Sequence, residues 1–147
     1  MPFPDIQILS TRHLRGPNVW TYREAVEVWV DIGPLEDHPS HTLPGFNERL
    51  QAWLPGMIEH RCSVGVRGGF FQRLLSGTWA AHIMEHVAIE LQTMAGLEVG
   101  FGKARETHQR GIYKEVVRAR QYDVAHDSLM AARALVMAAA ASEAIIS

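Results

Sequence analysis

Residues 25–32 (Ala-Val-Glu-Val-Trp-Val-Asp-Ile) are rich in β-branched and aromatic side chains, which suit a pleated, half-buried surface and predict a strand. Residues 5–9 alternate weakly between polar and apolar and predict a shorter strand before it, with Arg15-Gly16-Pro17-Asn18 as the turn between them. Gly33-Pro34 ends the second strand, and a polar stretch containing His38, Pro39, Ser40 and His41 runs to Pro44-Gly45. Phe46, Leu50, Trp53 and Leu54 share one side of a short helix over 46–54. A Gly-rich loop over 63–69 leads into one or two helical turns over 70–76. Thr78 is placed to cap a helix from Trp79 to Met94 that stops at Gly96, because Ile83, Val87 and Leu91, with Ala80, Ala88 and Met94, recur at helical spacing. Residues 97–102 and 112–118 are predicted as strands, and 123–146 as a long Ala-rich helix. Alanine favours the helix but buries little volume, so this end is expected to fray or to pack on something beyond itself.

Strands precede and follow helices without regular alternation, and no segment repeats. That pattern predicts a single α+β domain over 1–147: a small, mainly antiparallel sheet packed with helices, with 122–147 as a helical C-terminal extension. A chain of 147 residues is long enough for one real core. Fourteen basic against sixteen acidic side chains remove bulk attraction to nucleic acid or to an anionic membrane as a leading idea. Arginine makes up nearly all of the basic set and offers a fixed donor fork for carboxylates; plain surface use accounts for it equally well. The sole cysteine, Cys62, rules out an intrachain disulfide and a Cys-rich zinc module, and fits a reducing cytoplasm. The first ten residues lack the basic start and apolar run of a signal peptide, and the apolar stretch from Ala134 to Ala141 is too short to span a bilayer, so a soluble cytoplasmic protein is expected.

The segment that carries chemistry is His82-Ile83-Met84-Glu85-His86, inside the strongest predicted helix. It has the form H-x-x-E-H, the reverse of the zinc-peptidase pattern H-E-x-x-H. Residues i and i+4 lie on one helix face a turn apart, so two imidazoles can grip one divalent metal, with zinc the first choice. Glu85 lies on the neighbouring stripe, where a carboxylate can act as general base on water whose pKa the metal lowers. Chance would produce the pattern about 0.03 times in a chain of this composition. A hydrolase centre needs a third ligand: Glu90, one turn beyond His86, comes first, with His60, Cys62 and Glu106 as alternatives from other segments. The plain alternative is that both histidines are half-buried helix residues and Glu85 a solvated neighbour. Elsewhere, Val64 to Gly69 can bring backbone amides to an anion but lack the Gly-Lys-Ser/Thr of a phosphate loop, and a glycine-permitted turn entering a helix accounts for them more simply. Residues 100–106 are either a substrate-contacting edge or simply a strand end. The four tryptophans are expected in the core or a groove.

Leu14-Arg15-Gly16-Pro17-Asn18-Val19-Trp20 resembles the N-terminal signature of the cyanophycin synthetases. So do Leu43-Pro44-Gly45-Phe46, Glu59-His60-Arg61-Cys62-Ser63, Gly68-Gly69-Phe70, Gly77-Thr78-Trp79 running into the H-x-x-E-H helix as far as Gln92, Val99-Gly100-Phe101-Gly102, and Gly111-Ile112-Tyr113. The resemblance covers nearly all of residues 8–120, in order. It implies the N-terminal domain of an enzyme that also has ATP-grasp and Mur-ligase-like domains and builds cyanophycin, a poly-aspartate backbone bearing arginine on each side chain. It further implies a domain that binds the polymer and, in some members, cuts it at a metal site into short primers for synthesis; this chain has no nucleotide-binding loop for ligation. On that basis the H-x-x-E-H helix is expected to carry the site: Glu85 as the catalytic base, His82 and His86 holding the metal, and Glu90 or a distal residue as the third ligand. Arg67, Arg105 and Arg110 are expected on substrate carboxylates, and Glu59 and Glu106 on its guanidinium groups. Two positions depart from the family pattern: Val66 stands where a second cysteine is common, and Ala104 where threonine often precedes the Arg-Glu pair. The rival expectations are a polymer-tethering module without catalysis, and a scaffold that docks to the larger enzyme through its last helix.

Overall fold

Val26, Val28 and Val30 alternate along strand β2 (Ala25–Asp31) and are fully buried on one face of a four-stranded sheet. The structure, a computed structural model, describes residues 4–60 and 65–146, with side chains as far as residue 141. The sheet runs β1 (Gln7–Leu14), β2, β4 (Ile112–Arg118), β3 (Gly102–Glu106), and every neighbouring pair is antiparallel. β2 pairs Ala25 with Arg118 and Asp31 with Ile112, so Val26, Val28 and Val30 stand opposite Val117, Glu115 and Tyr113. The small antiparallel α+β domain expected from the sequence is the fold observed. Two strands have different bounds. β1 continues through Ser10, Thr11, Arg12 and His13, because an edge strand with one solvated face tolerates polar residues in succession. It also bulges between Ile8 and Ser10. The strand expected over 97–102 begins only at Gly102.

Helices α3 (Ala80–Met94) and α4 (Tyr122–Ile146) cover the valine face, α3 lying against β3 and β4, and α4 against α3 and β2. α1 (Phe46–Trp53) and α2 (Gly69–Ser76) close the core with Phe46, Leu50, Phe70 and Leu74. Gly45 and Gly68 precede these two short helices in the left-handed region, at φ 73° and 83°, where a side chain would be strained. α4 is long and apolar enough by length and composition to cross a bilayer. Its inward residues, however, pack on the core: Ala125, Leu129, Ala132, Val136, Ala139 and Ala140 are all buried there. The alanines give α3 and α4 a close approach. Arg49 ties α1 to α4 by donating from Nε to the carbonyl of Ala139 at 2.9 Å.

The tryptophans are not core residues. Trp53 and Trp79 are exposed, and Trp20 and Trp29 lie half-buried on the sheet's other face. There Trp20 and Phe101 pack against Leu14, Ala25 and Val116, and Trp20 Nε1 donates to Glu27 at 2.8 Å.

Candidate metal centre

α3 is apolar over most of its surface, and its motif side chains point into a groove of about 850 Å³ that runs between α3 and β3. Thr78 does not cap this helix; the capping position is Trp79. Its hydroxyl lies 2.8 Å from His82 Nδ1 instead. With Thr78 accepting, Nδ1 keeps the proton and the ring's lone pair lies on Nε2. Phe70 holds the second histidine: its ring stacks on His86 at 4.0 Å and meets His82 edge-on at 5.4 Å.

Among the described residues, the group that can hold a metal is His82, Glu85 and His86, whose ligand atoms lie within 4.8 Å of one another. Glu85 Oε2 is 3.5 Å from His86 Nε2. Burial, aided by the nearby Arg73 cation, lowers the pKa of His82 to about 4. Burial also lowers that of His86, with His82, His60 and Arg73 adding to it. Both imidazoles are therefore neutral at pH 7, the form that binds a metal. Burial pushes the Glu85 carboxyl up to about 8. A buried site with two neutral imidazoles and a carboxyl that would ionise beside a cation is chemically suited to a divalent metal.

Glu90 is placed one step away from this group. Its Oε1 is 2.9 Å from His60 Nε2, and His60 Nδ1 is 2.9 Å from His86 Nδ1. If His60 donates from Nε2 to the carboxylate, its Nδ1 must accept from His86, and the free lone pair of His86 falls on Nε2, facing Glu85. Gly56 makes room for this: a Cβ there would lie 2.2 Å from Glu90 Oε2. Cys62 lies outside the described residues.

The expected substrate residues divide. Glu59, Lys103 and Arg105 line the groove, and Arg105 also stacks over the Trp20 ring at 4.7 Å. Arg67 pairs with Glu59 at 2.8 Å on the exposed rim. Arg110 pairs with Asp37 on the surface, and neither it nor Glu106, exposed at the end of β3, is among the groove's lining residues.

Sequence reasoning missed Glu115. It is fully buried on β4, and neither of its carboxylate oxygens has a hydrogen-bond partner. Burial, and next the Glu85 charge, raises its pKa well above the ordinary range. The signal was available: Tyr113, Glu115 and Val117 alternate onto the core face, but Lys114-Glu115 reads as a solvated charge pair. The folded carboxyl keeps a proton that the unfolded one releases, so it lowers stability progressively as pH rises from about 4.5 toward its raised value. Glu115→Gln removes that penalty. In chelator, its melting temperature should gain on the parent's between pH 5 and pH 8; a pH-independent difference would mean that Glu115 is not held neutral.

The family model for the cyanophycin synthase-like N-terminal domain matches residues 27–141. The chain belongs to this family. It is 46% identical over 113 residues to the cyanophycin synthetase of Geminocystis herdmanii, and 47% identical over the same length to those of a Synechocystis species and Crocosphaera subtropica. Each match covers 76% of this chain and only 13% of the relative. The domain match takes in β2 from Glu27 onward, the H-x-x-E-H helix, the β3–β4 hairpin and most of α4.

Proposed function

We propose that this domain hydrolyses the peptide backbone of cyanophycin at a divalent-metal centre, zinc first among candidates, and so supplies short primers to the ATP-grasp and Mur-ligase-like domains of a full synthetase in the cytoplasm. The observation that carries the reading is the buried His82–Glu85–His86 group opening on a groove, in a chain of this family. His82 and His86 hold the metal. Glu90 has two ways to serve it: as a third ligand, or as the acceptor that orients His60 and through it His86; the observed hydrogen bonds favour the second. When bound, the cation supplies Lewis acidity, polarising the scissile carbonyl and acidifying water. Glu85 takes the proton from the attacking water and returns it to the leaving amine nitrogen. Arg105 and Glu59, at the groove, are the proposed contacts for substrate carboxylate and guanidinium; Arg67, Glu106 and Arg110 take this role only on a longer stretch of polymer.

The test is to incubate the purified chain with cyanophycin and follow soluble fragments. Release that a chelator stops and added zinc restores is the expected result. Binding without release under any metal would replace the hydrolase with a tethering module.

A further inference from the structure

β3 is an edge strand, and its outer edge borders the groove that holds the histidines. Two hydrogen bonds flanking the ladder fix which way its backbone faces. Arg118 N donates to the Phe101 carbonyl, and Thr107 N donates to the Ile112 carbonyl. In an antiparallel pair such bonds recur at every second residue, so Lys103 and Arg105 direct their N–H and C=O groups to β4. Gly102, Ala104 and Glu106 therefore direct theirs outward, where none meets a backbone partner among the described residues. The catalytic carboxylate stands at one end of this row: a Cβ on Gly102 would lie 3.0 Å from Glu85 Oε2. β1, the other edge of the sheet, is bulged and lies across the sheet from the groove.

We infer that the outer edge of β3 binds the main chain of an extended peptide as an added strand, through the N–H and C=O groups of Gly102, Ala104 and Glu106, and presents one of its peptide bonds to Glu85 at the Gly102 end. Five strand residues span roughly 17 Å, the length of about five substrate residues. Main-chain hydrogen bonds provide affinity that does not depend on side chains, and alternate substrate side chains turn toward opposite walls. A repetitive polymer with identical side chains suits such a site: it can slide by two residues and bind again in the same way. Lys103 and Arg105, projecting from the other face of the strand, offer positive charge to the free carboxylates of the arginines borne on such a backbone and discourage edge-to-edge association of two copies. The choice of a peptide as occupant rests on the hydrolase reading above; the direction of the backbone groups does not.

The experiment uses the Glu85→Gln chain and a soluble oligomer of aspartates with arginine amide-linked to each side chain, and follows backbone amide exchange by NMR. Binding should slow exchange at Gly102, Ala104 and Glu106 at least tenfold and leave Lys103 and Arg105, already bonded to β4, unchanged. Ala104→Pro removes one outward N–H and no ladder bond, and should weaken binding at least tenfold. Oligomers N-methylated at single backbone positions should lose affinity at alternate residues only. Protection spread evenly over β3, or absent while the oligomer binds, would overturn the inference, as would a failure to bind. The two readings fail separately. Protection without cleavage by the parent chain under any metal removes the hydrolase and keeps the strand site. Chelator-sensitive cleavage without protection does the reverse.

Discussion

Glu85→Gln is expected to cut the rate of cyanophycin hydrolysis by about two to four orders of magnitude, the usual contribution of a positioned general base, while the protein still takes up its metal through His82 and His86. Glutamine keeps the shape and one acceptor of glutamate but can neither accept nor return the proton. The structure sharpens this expectation. Glu85 is 5% exposed and stands 3.5 Å from His86. Its carboxyl is held up to about 8 by burial, so a nearby cation must ionise it before it can serve as base. Metal content by mass spectrometry and fragment release by chromatography read the two properties independently. Near-normal release by a metal-loaded variant would remove Glu85 from the base role.

Phe70→Ala should have the largest effect on the fold. Phe70 is fully buried in the main core and also stacks on His86. Truncating a buried phenylalanine costs about 3–5 kcal/mol, a large fraction of what a domain of this size has. The same cavity frees the His86 ring, so metal affinity should fall together with the melting temperature. Phe70→Leu separates the two effects: it refills most of the volume but not the flat ring surface. It should recover most of the lost stability and little of the lost affinity, read by thermal melts and metal titration. Full recovery of both would mean that Phe70 acts through volume alone.

What could be read from the sequence was whatever depends on spacing. Residues four apart on a helix must share a face, so His82 and His86 came together as the motif required, and the valines of β2 marked the buried face of the sheet. What could not be read depends on partners far along the chain. The link from Glu90 through His60 to His86 joins α3 to the turn that follows α1, and no local pattern signals it. Glu115 reads as a surface charge until β4 is known to be covered by α3. Thr78 has the residue type of a helix cap, but tertiary structure uses its hydroxyl on His82. The alanine run predicts a helix without showing that its small faces serve to bring α3 and α4 together.

The strand pairing also sets an order of assembly. β2 is bonded on one side to β1, its neighbour in the chain, and on the other to β4, so that Ala25 meets Arg118 across the whole span of α1, α2, α3 and β3. During synthesis the β1–β2 hairpin and the helices that follow emerge first, but the floor beneath α3 is absent until β4 arrives. Closing so long a loop is slow, because the entropic cost falls before the contacts that repay it are made. The histidine-bearing helix thus spends its early life with its reactive side chains open to water. A cation captured at that stage would join a half-built pocket, and loading would then be part of folding rather than a step that follows it.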